Sequence, residues 1–360
     1  MRRAGLARSI LRPRGEGRSA VAALLLISLL AAGCAPAAPT QDGGHAAADG
    51  GDGGPSGGDG GSDGGEVLTG RWTPAHPLPV PLQEVAVVFA AGEVYVLGGF
   101  DDRGQVVASV YAYAPDEDRW REAAELPQPV HHANAAVVDD RIYVLGFLRG
   151  TGFEARGEAY VYDPAAGGWR DLAPMPADEV RGASGVAVIG RRIYVVGGFR
   201  GGAVTDVSSF DTSTETWARA AALPQPLDHL VAGGIDGRVY VAGGRNARID
   251  THVATTLRYD PETDVWSEGA PMPTSRAGAA GTVHGGRLFV FGGEGAANET
   301  GVFDAVESYD PVRDQWAVHT PMGVPRHGTG AASDGKRIIV PGGADRQAFA
   351  AVRTVEIFEL

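Results

Sequence analysis

The chain has 360 residues, with 54 Gly, six Trp, one Cys and a formal net charge of −13. The acidic balance excludes a phosphate-backbone binder, which needs a basic surface. A single Cys excludes an intrachain disulfide and any cysteine-cluster zinc or iron–sulfur centre, and the lack of successive long apolar stretches excludes a multispanning membrane protein.

The first element is an export leader, residues 1–33. Arg2, Arg3, Arg8, Arg12, Arg14 and Arg18 form a basic region, and Val21 to Ala32 is an apolar run too short for a comfortable span. It ends in Leu30-Ala31-Ala32-Gly33-Cys34, which resembles the bacterial lipobox, with Ala31 where Leu is commonest. That resemblance implies cleavage before Cys34 and lipid attachment to it. Loss of a leader with six Arg and one Glu leaves the remainder still more acidic, so acyl chains rather than charge would hold it to an anionic membrane.

Residues 34–66 read as a tether. Gln41 to Gly65 holds twelve Gly interspersed with Asp42, Asp49, Asp52, Asp59 and Asp63. Such a segment has nothing apolar to bury and a high ordering entropy, so a disordered spacer is expected. Calcium-binding nonapeptide repeats need a regular apolar position, which this stretch lacks.

From residue 67 the chain repeats itself. Trp72, Trp120, Trp169, Trp217, Trp266 and Trp316 recur at intervals of 48 to 50 residues. An aromatic stands seven residues before each internal Trp: Tyr113, Tyr162, Phe210, Tyr259 and Tyr309. Apolar runs closing in Gly-Gly recur at Val94–Gly99, Ile193–Gly198, Val239–Gly244 and Leu288–Gly293, with variants at Ile142–Gly146, where Phe147 replaces the second Gly, and at Ile338–Gly343. Short β-branched runs between turn residues predict strands, and paired Gly at a strand end permits positive φ or close backbone approach. Asp163-Pro164, Asp260-Pro261 and Asp310-Pro311 predict tight turns before the Trp strands.

On these markers residues 67–360 resemble the kelch family of β-propellers, which implies an all-β, six-bladed propeller. The chain ends at Val355–Leu360 without a Trp strand, whereas Trp72 has no strands before it. The last blade is therefore expected to be closed by the N-terminal strand around Trp72, which removes two exposed sheet edges.

Counting ten to twelve residues on from each Trp places a set of side chains at one face of such a propeller. From this set come the candidates for a ligand-facing funnel: Glu84, His131, His132, Arg181, Asp228, His229, Arg276, Arg326 and His327. After the Gly pairs come Phe100, Phe199-Arg200, Arg245-Asn246, Glu294 and Asp345-Arg346 on the same face, with Arg149 in the corresponding place of the second repeat. The three candidate arginines also fit a structural role, bonding loop carbonyls. No metal site is expected, because alternation along a strand sends adjacent His131 and His132 to opposite faces, and no cofactor is expected. The copper-radical oxidases of similar fold need a Cys within the propeller, where none occurs.

With no catalytic signature, the expected function is a lipid-anchored, extracytoplasmic binding module, monomeric, presenting its loops to a protein or glycan and not to nucleic acid. The expected location is a bacterial cell envelope, at the outer membrane or cell surface rather than the inner membrane. The alternative is an enzyme resembling the kelch-type sialic acid mutarotases, which would use an acid/base pair beside arginines in the central mouth.

Overall fold

The computed structural model describes residues 69–360. The leader, Cys34 and the tether lie outside the described residues.

The first strand, β1 (Arg71–Pro74), is followed by five regular blades. Blade 1 comprises β2 (Ala86–Ala90), β3 (Glu93–Leu97), β4 (Val110–Ala114) and β5 (Arg119–Glu122). Blade 2 comprises β6 (Ala135–Val138), β7 (Arg141–Arg149), β8 (Glu154–Asp163) and β9 (Gly168–Leu172). Blade 3 comprises β10 (Gly185–Ile189), β11 (Arg192–Val196), β12 (Val207–Asp211) and β13 (Thr216–Arg219). Blade 4 comprises β14 (Val231–Ile235), β15 (Arg238–Ala242), β16 (Thr256–Asp260) and β17 (Val265–Gly269). Blade 5 comprises β18 (Ala280–His284), β19 (Arg287–Phe291), β20 (Val306–Asp310) and β21 (Gln315–Val318). The chain finishes with β22 (Ala332–Ser333), β23 (Ile338–Pro341) and β24 (Val355–Glu359).

Among the described residues these strands form six four-stranded antiparallel sheets, the sixth in the order β1-β24-β23-β22. The N-terminal strand is thus the outermost strand of the last blade. Its register pairs Trp72 with Phe358, the same pairing that sets Tyr113 against Trp120 and Tyr259 against Trp266 inside single blades. The first strands of successive blades contact one another around a closed circuit, so the sheets stand radially about a central axis.

The burial pattern explains why this chain must stack. The second and third strands of each blade are buried on both faces, as in β11 and β12, whereas the Trp strands are largely exposed. A lone sheet would leave one face of each inner strand in water; the neighbouring blade covers it. Val94, Val96, Tyr111 and Tyr113 of blade 1 pack on Ala332, Ile339, Val355 and Ile357 of blade 6 in one such seam.

Each Trp fastens its blade to the one before. Trp120 Nε1 donates to His76 O at 2.8 Å, Trp217 Nε1 to Ala173 O at 2.9 Å, and Trp316 Nε1 to Ala270 O at 2.9 Å. Trp72 Nε1 completes the circuit by donating to Thr320 O at 3.0 Å, although 248 residues separate the two in sequence. An aspartate in the turn before the Trp adds a second fastening. Asp118, Asp264 and Asp314 sit at φ near +50° and each accepts from a buried Tyr hydroxyl of its own blade and a backbone N–H of the preceding seam.

The Gly pairs end the second strands at positive φ; Gly98 stands at +60°, and a Cβ there would lie 2.5 Å from Val130 O. In blade 2 Phe147 replaces the second Gly. There the hairpin continues past a bulge between Leu145 and Phe147 to pair Arg149 with Glu154, and the loop at that corner becomes a short turn carrying Phe153.

Candidate ligand-binding mouth

Antiparallel order puts the turn between second and third strands, and the crossover to the next blade, at the same end of the propeller. The crossovers converge there on a ring. Glu84, His132, Ala183, His229, Gly278 and Gly328 are equivalent residues of the six blades, and all six have φ between +50° and +61°. Each donates its N–H to the carbonyl of the equivalent residue one blade back: His132 to Glu84 at 3.0 Å, Ala183 to His132 at 3.0 Å, His229 to Ala183 at 2.9 Å, and onward through Gly278, Gly328 and Glu84 until the circle closes. The left-handed conformation is what turns each N–H towards its neighbour. It suits Gly at no cost, whereas for Glu and His it costs about 1–2 kcal/mol per residue. Side chains kept there at that cost are candidates for function rather than packing.

Three consecutive positions therefore face three directions, not the two of a plain strand. The residue two before the ring points into its own blade, the next pairs with the residue after the Gly pair, and the ring residue faces the axis. This corrects two expectations. Arg181, Arg276 and Arg326 do not face the funnel: they are 0%, 1% and 0% exposed in the blade interiors. Arg276 meets Glu307 Oε2 at 2.6 Å, and Arg326 meets Glu356 Oε2 at 2.6 Å. Arg181 donates to the carbonyls of Glu179, Val195 and Gly197 and to Ser208. The equivalent positions in the other blades are Leu82, Val130 and Leu227, so one structural place takes either a charged or an apolar filling.

The second correction concerns His131 and His132. Their Nδ1 atoms lie 2.6 Å apart, because the left-handed turn at His132 swings its ring back beside its neighbour. The expectation of no metal site considers only that adjacent pair. The grouping that matters forms across blades: Glu84, His132 and His229 offer ligand atoms all within 4.8 Å of one another. His132 Nε2 lies 2.9 Å from Glu84 Oε2 and 2.9 Å from His229 Nε2, with small Ala183 between them in the ring leaving room for this approach.

Around this centre the remaining candidates act as supports. Asp228 is fully buried and accepts from His229 Nδ1 at 2.5 Å and from Arg245 Nε at 3.2 Å. Arg245 also bonds Glu294 and reaches His229 Nε2 at 3.2 Å. His131 Nε2 donates to Gly150 O at 3.0 Å, and His327 Nε2 to Arg346 O at 3.0 Å. Gly328 leaves space for the Glu84 carboxylate, since a Cβ there would stand 2.7 Å from Oε1. Phe100 and Phe153 pack against His131 with ring centroids 4.3 and 4.9 Å away, and Phe349, 44% exposed, stands edge-on to Phe100. The mouth is thus an ionic and imidazole centre with an aromatic wall on one side.

Electrostatics follow from burial and these partners. Burial alone would raise the Glu84 carboxyl, but His132, His327 and His229 outweigh it and hold it well below 4.5, so it stays ionised. Burial pushes His131 down to about 3, with His132 adding to the effect. His229 is lowered by burial and by Arg245, against the opposing hydrogen bond to Asp228.

Arg245, Glu294 and Phe153 are the mouth residues that the candidate set passed over. Arg245 and Glu294 stand directly after Gly pairs and were legible as loop positions, while Phe153 becomes a wall residue only because the blade 2 hairpin is extended. The mutarotase alternative counted on three arginines in the mouth, and those three are structural.

The chain is similar in sequence to known repeat proteins. A family model for the KLHDC2/KLHL20/DRC7 Kelch-repeats domain matches residues 67–226 and 181–343. Kelch-like protein terF of Aspergillus terreus is 33% identical over 198 residues, covering 49% of this chain and 43% of that protein. Kelch-like protein 25 of Xenopus tropicalis is 31% identical over 161 residues, 44% of this chain and 26% of its own. Kelch repeat and BTB domain-containing protein 13 of Homo sapiens is 33% identical over 135 residues, 37% and 29% of the two chains. The matched regions span less than half the length of these curated relatives. With the blade register, the Gly pairs and the Trp fastenings in place, this chain belongs to the kelch-repeat family.

Proposed function

We propose that this protein is a protein-interaction module whose binding face is the mouth end of the propeller, held at a bacterial cell envelope by a lipid on Cys34. Kelch-family membership supports the interaction role. The observation that carries the choice of face is the ring: three of its six positions hold Glu or His against backbone preference, and buried partners fix those side chains in place. A rigid scaffold that holds loop side chains in fixed positions is suited to binding. A polar peptide loop or a glycan satisfies both the ionic centre and the aromatic wall. The lipobox-like Leu30–Cys34 and the Gly/Asp-rich stretch after it support a tethered, extracytoplasmic setting, with the outer membrane or cell surface as the destination.

Site-specific photo-crosslinking in native membranes tests the face. Probes at Asn246, Glu299 and Arg346 at the mouth end should capture one discrete envelope component, and probes at Thr214 and Val312 at the opposite end should not. Capture from the opposite end alone would overturn the assignment. For the anchor, Cys34→Ala should move the protein from the membrane to the soluble fraction; retention in the membrane would refute lipid attachment there.

A further inference from the structure

We propose that Glu84, His132 and His229 form a binding site for a divalent transition-metal ion of the zinc class at the centre of the propeller mouth.

A neutral imidazole carries one N–H and one lone pair, and the tautomer is assigned from the bonds it makes. A backbone carbonyl only accepts, so His131 donates Nε2–H to Gly150 O and turns the lone pair of its Nδ1 towards His132. As a neutral imidazole His132 must therefore donate from Nδ1, which leaves its Nε2 as a lone pair; as a cation it would donate Nε2–H to Glu84 instead. The Asp228 carboxylate likewise takes the Nδ1–H of His229, leaving His229 Nε2 as a lone pair, and the Arg245 guanidinium donating to that nitrogen agrees. Two imidazole lone pairs thus stand 2.9 Å apart, with a carboxylate oxygen 2.9 Å from one of them. Among the three atoms the one hydrogen supplied is the N–H that Arg245 donates to His229 Nε2, which an ion would displace; the contacts of His132 Nε2 with its two neighbours hold no hydrogen and are repulsive unless a cation joins them.

A fourth group repeats the pattern. His327 donates Nε2–H to Arg346 O, and its Nδ1 has no hydrogen-bond partner although the side chain is 4% exposed. That nitrogen lies 3.7 Å from Glu84 Oε1 and 3.7 Å from Glu294 Oε2, facing two more acceptors.

The chemistry of the donor set selects the ion. Two imidazoles and one carboxylate suit zinc and its first-row neighbours, and such three-ligand sets leave a coordination position open. A tetrahedral ion with bonds of about 2.0–2.1 Å holds its ligand atoms about 3.3 Å apart. The two separations from His132 Nε2, 2.9 Å each, need a small opening to reach that value, and Glu84 and His229, within 4.8 Å of one another, must settle to it. The outer shell is also in place: His229 is braced by Asp228, and His132 by the His131–Gly150 relay, the arrangement that orients metal-bound histidines. This inference concerns the centre itself and stands whether or not the face binds a macromolecule.

The test uses the full chain, stripped with chelator and titrated with Zn²⁺, with Co²⁺ as a spectroscopic probe. One equivalent of Zn²⁺ should bind, and Co²⁺ should give the intense visible bands of a low-coordinate N/O site. His132→Asn and His229→Asn, chosen because Asn accepts left-handed φ, should weaken binding at least 100-fold, and Glu84→Gln should also remove the site. Asp228→Asn should weaken it about 10- to 100-fold as a bracing residue. His284→Asn, with its imidazole on Ser333 away from the ring, should change nothing. Circular dichroism confirms that each variant is folded. Stoichiometry unchanged in the ring variants overturns the proposal. So does failure of the parent chain to bind Zn²⁺; ¹⁵N spectra showing His132 protonated on both nitrogens near neutral pH would then identify a proton as the joining cation.

Discussion

Replacing Trp72 with Ala tests whether the ring is closed by the N-terminal strand. Trp72 is half-buried, 5.0 Å from the Phe358 ring and 5.8 Å from Phe291, with one hydrogen bond to Thr320 O. Truncating a fully buried Trp costs about 3–5 kcal/mol. Half exposure brings that packing loss to about 2 kcal/mol, and the hydrogen bond adds about 1 kcal/mol. The expected loss is therefore about 3 kcal/mol. For a domain of roughly 290 residues the unfolding entropy is about 0.6 kcal/mol/K, so the melting temperature should fall by about 5 °C. Trp217→Ala, with equivalent contacts to Phe210 and Ala173 O, should cost a similar amount. The two differ in what else is lost. β1 is held to β24 by its ladder, its seam contacts and the exposed Arg71–Glu359 pair, so Trp72→Ala should also lower amide protection across Arg71–Pro74 and Val355–Glu359. Urea unfolding followed by circular dichroism, with hydrogen exchange by mass spectrometry, gives both readings. A cost below about 1 kcal/mol, or unchanged protection in β24, would refute closure by this strand.

The buried pair Arg276–Glu307 should lose about 3–5 kcal/mol on Arg276→Leu, because Glu307 is left ionised in the blade interior, whereas the double variant Arg276→Leu/Glu307→Leu should recover much of that loss. Blade 4 already places Leu227 and Leu257 at these two positions; a double variant no better than the single one would refute this reading, as measured by urea unfolding. At the closing seam, His319 hydrogen-bonds Thr69 and Ser308, and burial together with Arg287 holds its imidazole below the usual 6.5, against an opposing hydrogen bond at Thr69. The unfolded chain then takes up this proton first, so the His319 contribution is complete above pH 6.5 and declines as pH falls towards the lowered folded value. His319→Gln should flatten the stability profile in that window; an unchanged slope would show that His319 does not titrate there.

Much of the architecture is legible in the sequence itself. The Trp period counted the blades, and the missing final Trp strand with the orphaned Trp72 identified the closing seam. These signals are legible because each marker has one physical use repeated around the ring: a Gly pair in five blades where a Cβ would meet a backbone oxygen, and a Trp in all six that reaches the previous blade. The Asp of the turn before Trp120, Trp266 and Trp316 recurs in only three blades and is masked by ordinary turn chemistry. The mouth was less legible. Its candidates were found by register, yet the rule of strand alternation assigned them two faces where left-handed residues create three. Arg181, Arg276 and Arg326 were thus placed one position out of direction, and His131 and His132 were separated when the backbone brings them together. The meeting of His132 with His229 depends on Ala183 lying between them in a closed ring, which no local pattern reveals.

The most direct test of the account is an anomalous diffraction map at the zinc edge from crystals of the protein grown with Zn²⁺. The account predicts a single strong peak within bonding distance of Glu84, His132 Nε2 and His229 Nε2, inside the ring of six left-handed residues. Peaks confined to peripheral histidines such as His76 or His284, with none at the ring, would contradict it.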